Sequence, residues 1–519
     1  MGPSFSAARA HRAPGRKPPP AWLLLPVLLL VCLSLLPLGY VVLKAWQAGW
    51  AEAWHLLWRP YVFRLLRNTL LLMLGTTGAC AIIGLSLAWL LERSDLPGRR
   101  IWGVVLCLPF AVPAFVSSFT WVSLSASFEG LGGAILVMTL SKYPLVFLPV
   151  AATLRNLDPS LEESARTLGQ DRWGVFFKIT LPLLWPSLLA GSLLIALHML
   201  VEFGALSIMG LQTFTTAIYQ QFELEFSNAN AAMLSAVLLL LCLALLWLEL
   251  RARGKGRHVR IGQGVARHAE QVRLGAWSLP GQLYCLALAL IGSGVPLAML
   301  AYWLAIGSSA AFPMAAIGEA LLSSLALSLG GAALCLLLAV PVGLLVVRYK
   351  GRLAIWAERL PYLLHALPGL VIALTLVYFA LHYVPALYQT SALLLIAYAL
   401  LFLPLAQAPI RTALNKAAPQ LEEAARTLGA SSFEAFCRVT LPIIFPALGA
   451  AFALVFLDAM KELTATLLLS PTGLNTLATA VWAHTSNLEF AAAAPYAVLL
   501  ILVSGLPVYL LTTRMYLSR

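Results

Sequence analysis

Twelve stretches of roughly twenty apolar residues divide the chain, and a lipid bilayer is the solvent that gives such a pattern a fold. They fall at about 22–43, 67–91, 101–125, 131–153, 182–206, 230–250, 278–305, 319–347, 353–381, 387–410, 442–466 and 491–513. Only 11% of the 519 residues are charged while 61% are hydrophobic, where soluble globular chains carry about a quarter charged residues. The mean hydropathy is +0.87. A soluble single-core enzyme is excluded. The expected fold class is all-α integral membrane with about twelve transmembrane helices, because a helix satisfies its own backbone polar groups in hydrocarbon. The first stretch follows Arg9, Arg12, Arg16 and Lys17 like a signal peptide, but it is long and no A-x-A site follows it directly. It reads as a retained anchor.

Lys and Arg outnumber Asp and Glu by 34 to 21, a net charge of +13. In a soluble chain that excess would suggest nucleic acid; here it follows the positive-inside pattern, and no nucleic acid partner is expected. Arg93, Arg99 and Arg100, then Arg155, Arg166, Arg172 and Lys178, then Arg348, Lys350 and Arg352, then Lys416, Arg426 and Arg438 occupy alternate loops. The stretches 207–229, 306–318, 382–388 and 467–490 hold no Lys or Arg. Both termini are therefore expected in the cytoplasm, with Lys44, Arg59 and Arg64 as a noisy first outer loop. The expected domains are a cytoplasmic tail at 1–21, a first transmembrane domain at 22–250, a basic cytoplasmic linker at 251–277 and a second transmembrane domain at 278–519. Cys32, Cys80, Cys107, Cys242, Cys285, Cys335 and Cys437 form no C-x-x-C pair, which excludes a zinc ribbon or a disulfide scaffold.

An internal repeat ties the halves together. LEESARTLGQDRWGVFFKITLP at 161–182 and LEEAARTLGASSFEAFCRVTLP at 421–442 match at 12 of 22 positions, 260 residues apart. GLQTFTTAIY at 210–219 pairs with GLNTLATAVW at 473–482, three residues out of that offset. Six spans per half is an even number, so the halves run parallel, with a pseudo-two-fold axis along the membrane normal and a pathway between them. Each copy of the first repeat sits in the loop after its half's fourth span. Leu161, Ala165 and Leu168 share one helical face, Asp158-Pro159 suits a helix start, and Gly169 suits a left-handed stop. The second copy, with Ala418-Pro419, lacks the cap. Such an amphipathic helix suits docking to a soluble partner or lying on the bilayer surface, and the pattern leaves both open.

These segments resemble the EAA loop of bacterial ATP-binding-cassette importer permeases, written E-A-A, three residues, G, nine residues, I-x-L-P. The chain has Glu163, Ser164, Ala165, Gly169, Ile179, Leu181 and Pro182, and again Glu423, Ala424, Ala425, Gly429, Val439, Leu441 and Pro442. Ser164 and Val439 are mild departures. The resemblance implies that each loop is a coupling helix seated on one of two copies of a cytoplasmic ATPase, and that a periplasmic binding protein delivers the substrate. The chain has no G-x-x-x-x-G-K-[ST] loop. No catalytic site and no bound cofactor are expected here, ATP and Mg being used by the partner. EFGALSIMGLQTFTTAIYQQF at 202–222, DAMKELTATLLLSPTGLNTLATAVW at 458–482 and the fused layout look like the ferric-iron permeases of bacterial inner membranes. Thiamine permeases share that layout and are the nearest alternative. A proton-coupled carrier with two six-helix halves would also give twelve spans, but it would not need two EAA-like loops. A membrane enzyme would present a polar catalytic motif, and none is found.

Ionisable residues within spans are costly and often functional. His198 aligns with Asp458 and Glu202 with Glu462 at the same 260-residue offset. Glu202 is 20 residues beyond Pro182, roughly 30 Å along a helix, which predicts an outer mouth. There Glu202, Glu462 and Asp458 would draw in a cation, with Tyr219 as a further oxygen donor for hard Fe(III) and no dedicated metal site. The alternative is interfacial, with Lys461 paired to Asp458 at i, i+3. Lys142 is isolated in the fourth span and receives no role. Pro109, Pro113, Pro149, Pro361, Pro368 and Pro404 are expected to bend spans. The outer repeat predicts short periplasmic helices, with Glu223, Glu225 and Glu489 as an acidic rim.

Overall fold

In the computed structural model, the residues described are 19–49, 54–55, 57–223, 225, 228–252, 271–307, 312–349, 351–365 and 367–516. Most of the expected tail at 1–21 and linker at 251–277 lies outside them. Among the described residues nine helices are long and apolar enough to cross a membrane, and two bent pairs bring the number to eleven. The last helix, Phe490–Tyr516, includes the shorter apolar stretch Phe490–Gly505 and supplies a twelfth. The first half runs through Ala21–Ala48, Pro60–Arg93, the bent pair Arg99–Ala111 and Ala114–Leu124, then Gly130–Asn156, Trp173–Val201 and Asn228–Ala252. The second repeats it with Gly275–Ile306, Met314–Arg348, the bent pair Arg352–His365 and Gly369–Tyr383, then Ser391–Lys416, Ser432–Met460 and Phe490–Tyr516.

The third span of each half is broken rather than continuous, by 87° in the first half and 110° in the second. Pro113 and Pro368 stand at the breaks with extended backbone. A proline there removes an amide donor and forces its predecessor out of the helical region; Val112, with φ −83° and ψ 120°, obeys. Pro149, Pro361 and Pro404 lie inside uninterrupted helices, contrary to a reading in which every span proline interrupts its helix.

Close packing relies on small residues, as expected where lipid supplies no hydrophobic drive between helices. A Cβ on Gly84 would lie 2.7 Å from the Val146 side chain, and one on Gly191 would lie 2.7 Å from the Leu145 carbonyl oxygen. Helices two and five of the first half thereby close on its fourth. The first helix of each half packs on the other half. Tyr40 meets Tyr378 at 5.2 Å and Trp22 meets Phe433 at 5.6 Å. Tyr284 and Ser86 share a hydrogen bond of 2.8 Å, and Trp303 donates to Ser123 at 3.0 Å. The two sequence halves are thus interlaced in space.

Candidate functional site

Two regions carry chemistry: a repeated helical unit at the basic end, and a cavity between the halves. In the first, the expected amphipathic helices are present as Pro159–Thr167 and Pro419–Thr427. Asp158 accepts from the Ser160 amide at 3.0 Å, whereas Ala418 offers no side-chain cap. Both helices stop at glycine in the left-handed region, Gly169 at φ +86° and Gly429 at +94°. The amide of Gln170 reaches the Ala165 carbonyl and that of Gly169 the Arg166 carbonyl, and Ala430 and Gly429 repeat the pattern. This double closure satisfies two otherwise orphaned carbonyls per helix.

Glu163 and Glu423, the acidic residues singled out by the motif, are exposed. The inward-facing acids are their neighbours. Glu162 accepts from Arg93 at 3.2 Å and from the Thr180 hydroxyl at 3.0 Å. Glu422 accepts from Arg348 at 3.0 Å and from Thr440 at 2.6 Å, while Arg348 also donates to the Ala417 carbonyl at 3.0 Å. Sequence reasoning missed this pair, although Glu162/Glu422 and Thr180/Thr440 are identical positions of the repeat. Ala165 is buried, but Leu161 and Leu168 are 46% and 83% exposed, as are Leu421 and Leu428 at 48% and 89%. Ala424 is exposed and Ala425 partly buried. Each helix is therefore tied down by an inward-facing carboxylate, Glu162 buried and Glu422 part-buried, and presents leucines outward. Trp173 and Phe433, at equivalent positions, extend the exposed apolar surface.

The second region is a cavity of about 600 Å³ lined by both halves. The first half contributes Lys142, His198 and Glu202; the second contributes His365, Asp458, Lys461 and Glu462. The broken third spans enter it at Pro113 and Gly369. The expected outer-mouth location of Glu202 and Glu462 is not observed. They share the cavity with Lys142, thirteenth of the 27 residues of Gly130–Asn156, and with Pro404, fourteenth of the 26 of Ser391–Lys416. That is mid-depth. The fifth spans also end at Val201 and Met460, earlier than the predicted 206 and 466. The physical reason is local: Glu202 accepts the Ala205 amide at 3.2 Å and Glu462 the Ala465 amide at 2.9 Å, each starting a short helix after its span. Lys461 pairs with Asp458 at 3.5 Å, as the i, i+3 spacing suggested. His198 Nδ1 lies 2.8 Å from the Leu194 carbonyl oxygen.

Tyr219 does not line this cavity. It lies in the outer helix Phe214–Glu223, its ring 4.8 Å from Phe203 and 5.9 Å from Trp482, its counterpart in the repeat. Burial, then the charge of Glu223, pushes its phenol up to about 12, so the hydroxyl stays protonated at neutral pH. The predicted short outer helices are present as Phe214–Glu223 and Leu477–Ser486, with the Thr213 amide bonded to Thr216 and the Thr476 amide to Thr479, both at 2.8 Å. Of these three rings, Phe203 lines the cavity. Its lining extends the other way, through Ala408 and Pro409 and to Leu246 near the basic end of Asn228–Ala252. Of the acidic rim, Glu223 and Glu225 are exposed and Glu489 lies 2.7 Å from His484.

Comparison with known proteins agrees with this architecture. The family described as binding-protein-dependent transport system inner membrane component matches residues 80–250 and 336–516, one segment in each half. The Fe(3+)-transport system permease protein FbpB 2 of Haemophilus influenzae is 46% identical over 497 residues, covering 95% of this chain and 98% of that protein. The sulfate transport system permease protein CysT of Escherichia coli is 36% identical over 195 residues, 34% of this chain and 70% of its own length. The molybdenum transport system permease protein ModB of the same organism is 34% identical over 139 residues, 24% and 60% respectively.

Proposed function

Because the chain belongs to the family of binding-protein-dependent transport system inner membrane components, we propose that it is the fused permease subunit of an ATP-driven ferric-iron importer. It is a multi-pass inner-membrane transport component, and the iron assignment rests on near full-length similarity to an Fe(3+) permease, where the sulfate and molybdenum relatives match 24–41% of the chain. The basic end faces the cytoplasm with both termini, in keeping with the charge alternation. Two copies of a soluble ATPase seat on the helices Pro159–Thr167 and Pro419–Thr427, supplying the ATP and Mg chemistry. The observation that supports this is the duplicated unit itself, two exposed leucine faces each anchored by an inward-facing Arg–Glu–Thr set. A periplasmic binding protein delivers iron to the outer helices.

The conformation fits a cytoplasm-open state. The Phe203–Tyr219–Trp482 seal shuts the outer side, and Glu202 and Glu462 hold helix starts at the floor of that seal. Closure of the ATPase pair would draw the anchored helices together and reorganise the halves around the cavity, on which His198, Glu202, Asp458 and Glu462 face the pathway.

The test is uptake of radiolabelled Fe(III), thiamine, sulfate and molybdate in cells with and without the gene, each under limitation. Loss of iron uptake alone is the expected result. Intact iron uptake with loss of another solute would reject the substrate while leaving the permease assignment standing.

A further inference from the structure

Among the described residues three helices widen into a single π-helical turn, at Phe176–Thr180, Phe436–Thr440 and Leu290–Gly294. In each, the residue after the turn donates to a carbonyl five places back, Leu181 to Phe176, Leu441 to Phe436 and Val295 to Leu290. Each turn ends two residues before a proline, Pro182, Pro442 or Pro296. In an α-helix a proline ring collides with the carbonyl four residues back, and a wider turn relieves the collision. Proline alone does not suffice, since Pro186 and Pro446 sit in ordinary α-helix one turn further on. At the two sites in the repeat, the last residue of the turn is also held from the side, Thr180 donating to Glu162 and Thr440 to Glu422.

The turn shifts the phase of the residues that precede it. Thr180, Leu184, Leu188 and Ile195 lie on the buried face of the first half's fifth span, and Thr440, Ile444, Ala451 and Val455 on that of the second. At about 100° per residue, an unbroken α-helix would lay Trp173 and Phe433, each seven residues before its threonine, on that same face. The one extra residue of a π turn rotates them away by about 100°. Val175 and Ala435 take the buried place instead, and Trp173 and Phe433 stand 70% and 55% exposed. Trp22 packs on Phe433 at 5.6 Å without covering it. The short helices Arg172–Val175 and Ser432–Ala435, which carry these rings, pack against Pro159–Thr167 and Pro419–Thr427, whose leucines face outward.

Resting on the reading of Pro159–Thr167 and Pro419–Thr427 as the ATPase seats, we infer that Pro182 and Pro442 are positioning residues that hold a π turn at the root of each fifth span and thereby turn Trp173 and Phe433 into the docking surface. The span keeps its buried face, the threonine keeps its carboxylate, and the aromatic ring is aimed at the soluble partner. The third turn, before Pro296, has no helix of the repeat beside it and serves as the internal control.

The first readout is labelling of Trp173→Cys by a membrane-impermeant maleimide in inside-out vesicles, with Cys32 and Cys437 changed to Ser and the other five cysteines buried. Pro182→Ala should lower the labelling rate about fivefold, since an amide at 182 lets the root close into α-helix and rotates the ring inward. Deleting Lys178 as well should restore labelling, because the closed helix is then one residue shorter and its phase returns. Pro296→Ala should leave labelling unchanged. The second readout is ⁵⁵Fe(III) uptake by whole cells carrying the chain with Trp173 intact. Pro182→Ala with Pro442→Ala should lower uptake about tenfold, and added deletion of Lys178 and Arg438 should bring it back to within about threefold. That rescue separates phase from loss of folding. Labelling unchanged by Pro182→Ala, or deletions that rescue neither readout, would overturn the inference and leave the ATPase seats standing. Altered labelling with wild-type uptake would assign the rings to the headgroup layer, overturning the seats and the inference together.

Discussion

At the basic end the two halves are near copies of one another, while at mid-depth they part company. Glu162 takes Arg93 and Thr180 where Glu422 takes Arg348 and Thr440, and the same glycine closure follows each helix. In the cavity, His198 stands opposite Asp458 in the repeat, Lys142 opposite Phe402, and Val201 opposite Lys461. Both regions lie on the same pseudo-symmetric frame, so the difference lies in what each one meets. A surface used once by each half has to be made twice. A cavity on the axis meets one small solute at a time, and its two walls are free to specialise.

The largest effect expected from breaking this comparison is on the repeated unit. Glu162→Ala with Glu422→Ala leaves the buried Arg93 and the part-buried Arg348 without their carboxylates, at about 3–5 kcal/mol for the buried pair and less for the other. Uptake should fall at least about a hundredfold, since every 1.4 kcal/mol is a factor of ten, with the protein still present in the membrane by immunoblot. Taken singly, Glu162→Ala should be the more damaging, because Arg348 retains its bond to Ala417. Next comes the glycine pair: Gly169→Asp or Gly429→Asp forces a side chain into the left-handed region at roughly 1–2 kcal/mol. Each should lower coupled ATP hydrolysis about tenfold, and equal losses would mark the two copies as equivalent.

In the cavity the singles should be unequal. Glu462→Gln should slow iron uptake about fivefold and Glu202→Gln about twofold, because Glu462 makes the shorter amide bond, 2.9 against 3.2 Å, and its carboxylate also lies near the positive start of Gly369–Tyr383. Equal effects would argue that the walls are not specialised. The smallest change is expected from Tyr219→Phe, which keeps the aromatic seal; uptake between pH 6 and 8 should retain its wild-type profile, as the phenol does not ionise there.

Much of this was legible in the sequence. The repeat located both amphipathic helices, the single Asp158 cap and both glycine stops, since these are local features of a few residues. The apolar runs gave the number of spans. What sequence could not give is distant pairing: Arg93 lies 69 residues from Glu162 and Arg348 lies 74 from Glu422, so the motif drew attention to the exposed Glu163 and Glu423. Depth was also hidden. Counting along a helix placed Glu202 at an outer mouth, whereas the fifth span ends early at Val201, where Glu202 starts the next short helix and lines the same cavity as Lys142. That proline breaks the chain at Pro113 and Pro368 but not at Pro149 or Pro404 is likewise not written in the residue type itself.

Exchanging segments between the halves tests the central claim most directly. One chimera exchanges 161–182 with 421–442, and another exchanges 194–204 with 454–464, each measured by ATP-driven iron uptake in proteoliposomes. The first should transport at close to the wild-type rate, and the second should lose most of its uptake while keeping ATPase stimulation. A first chimera that fails while the second transports normally would contradict the division into a repeated coupling unit and a specialised cavity.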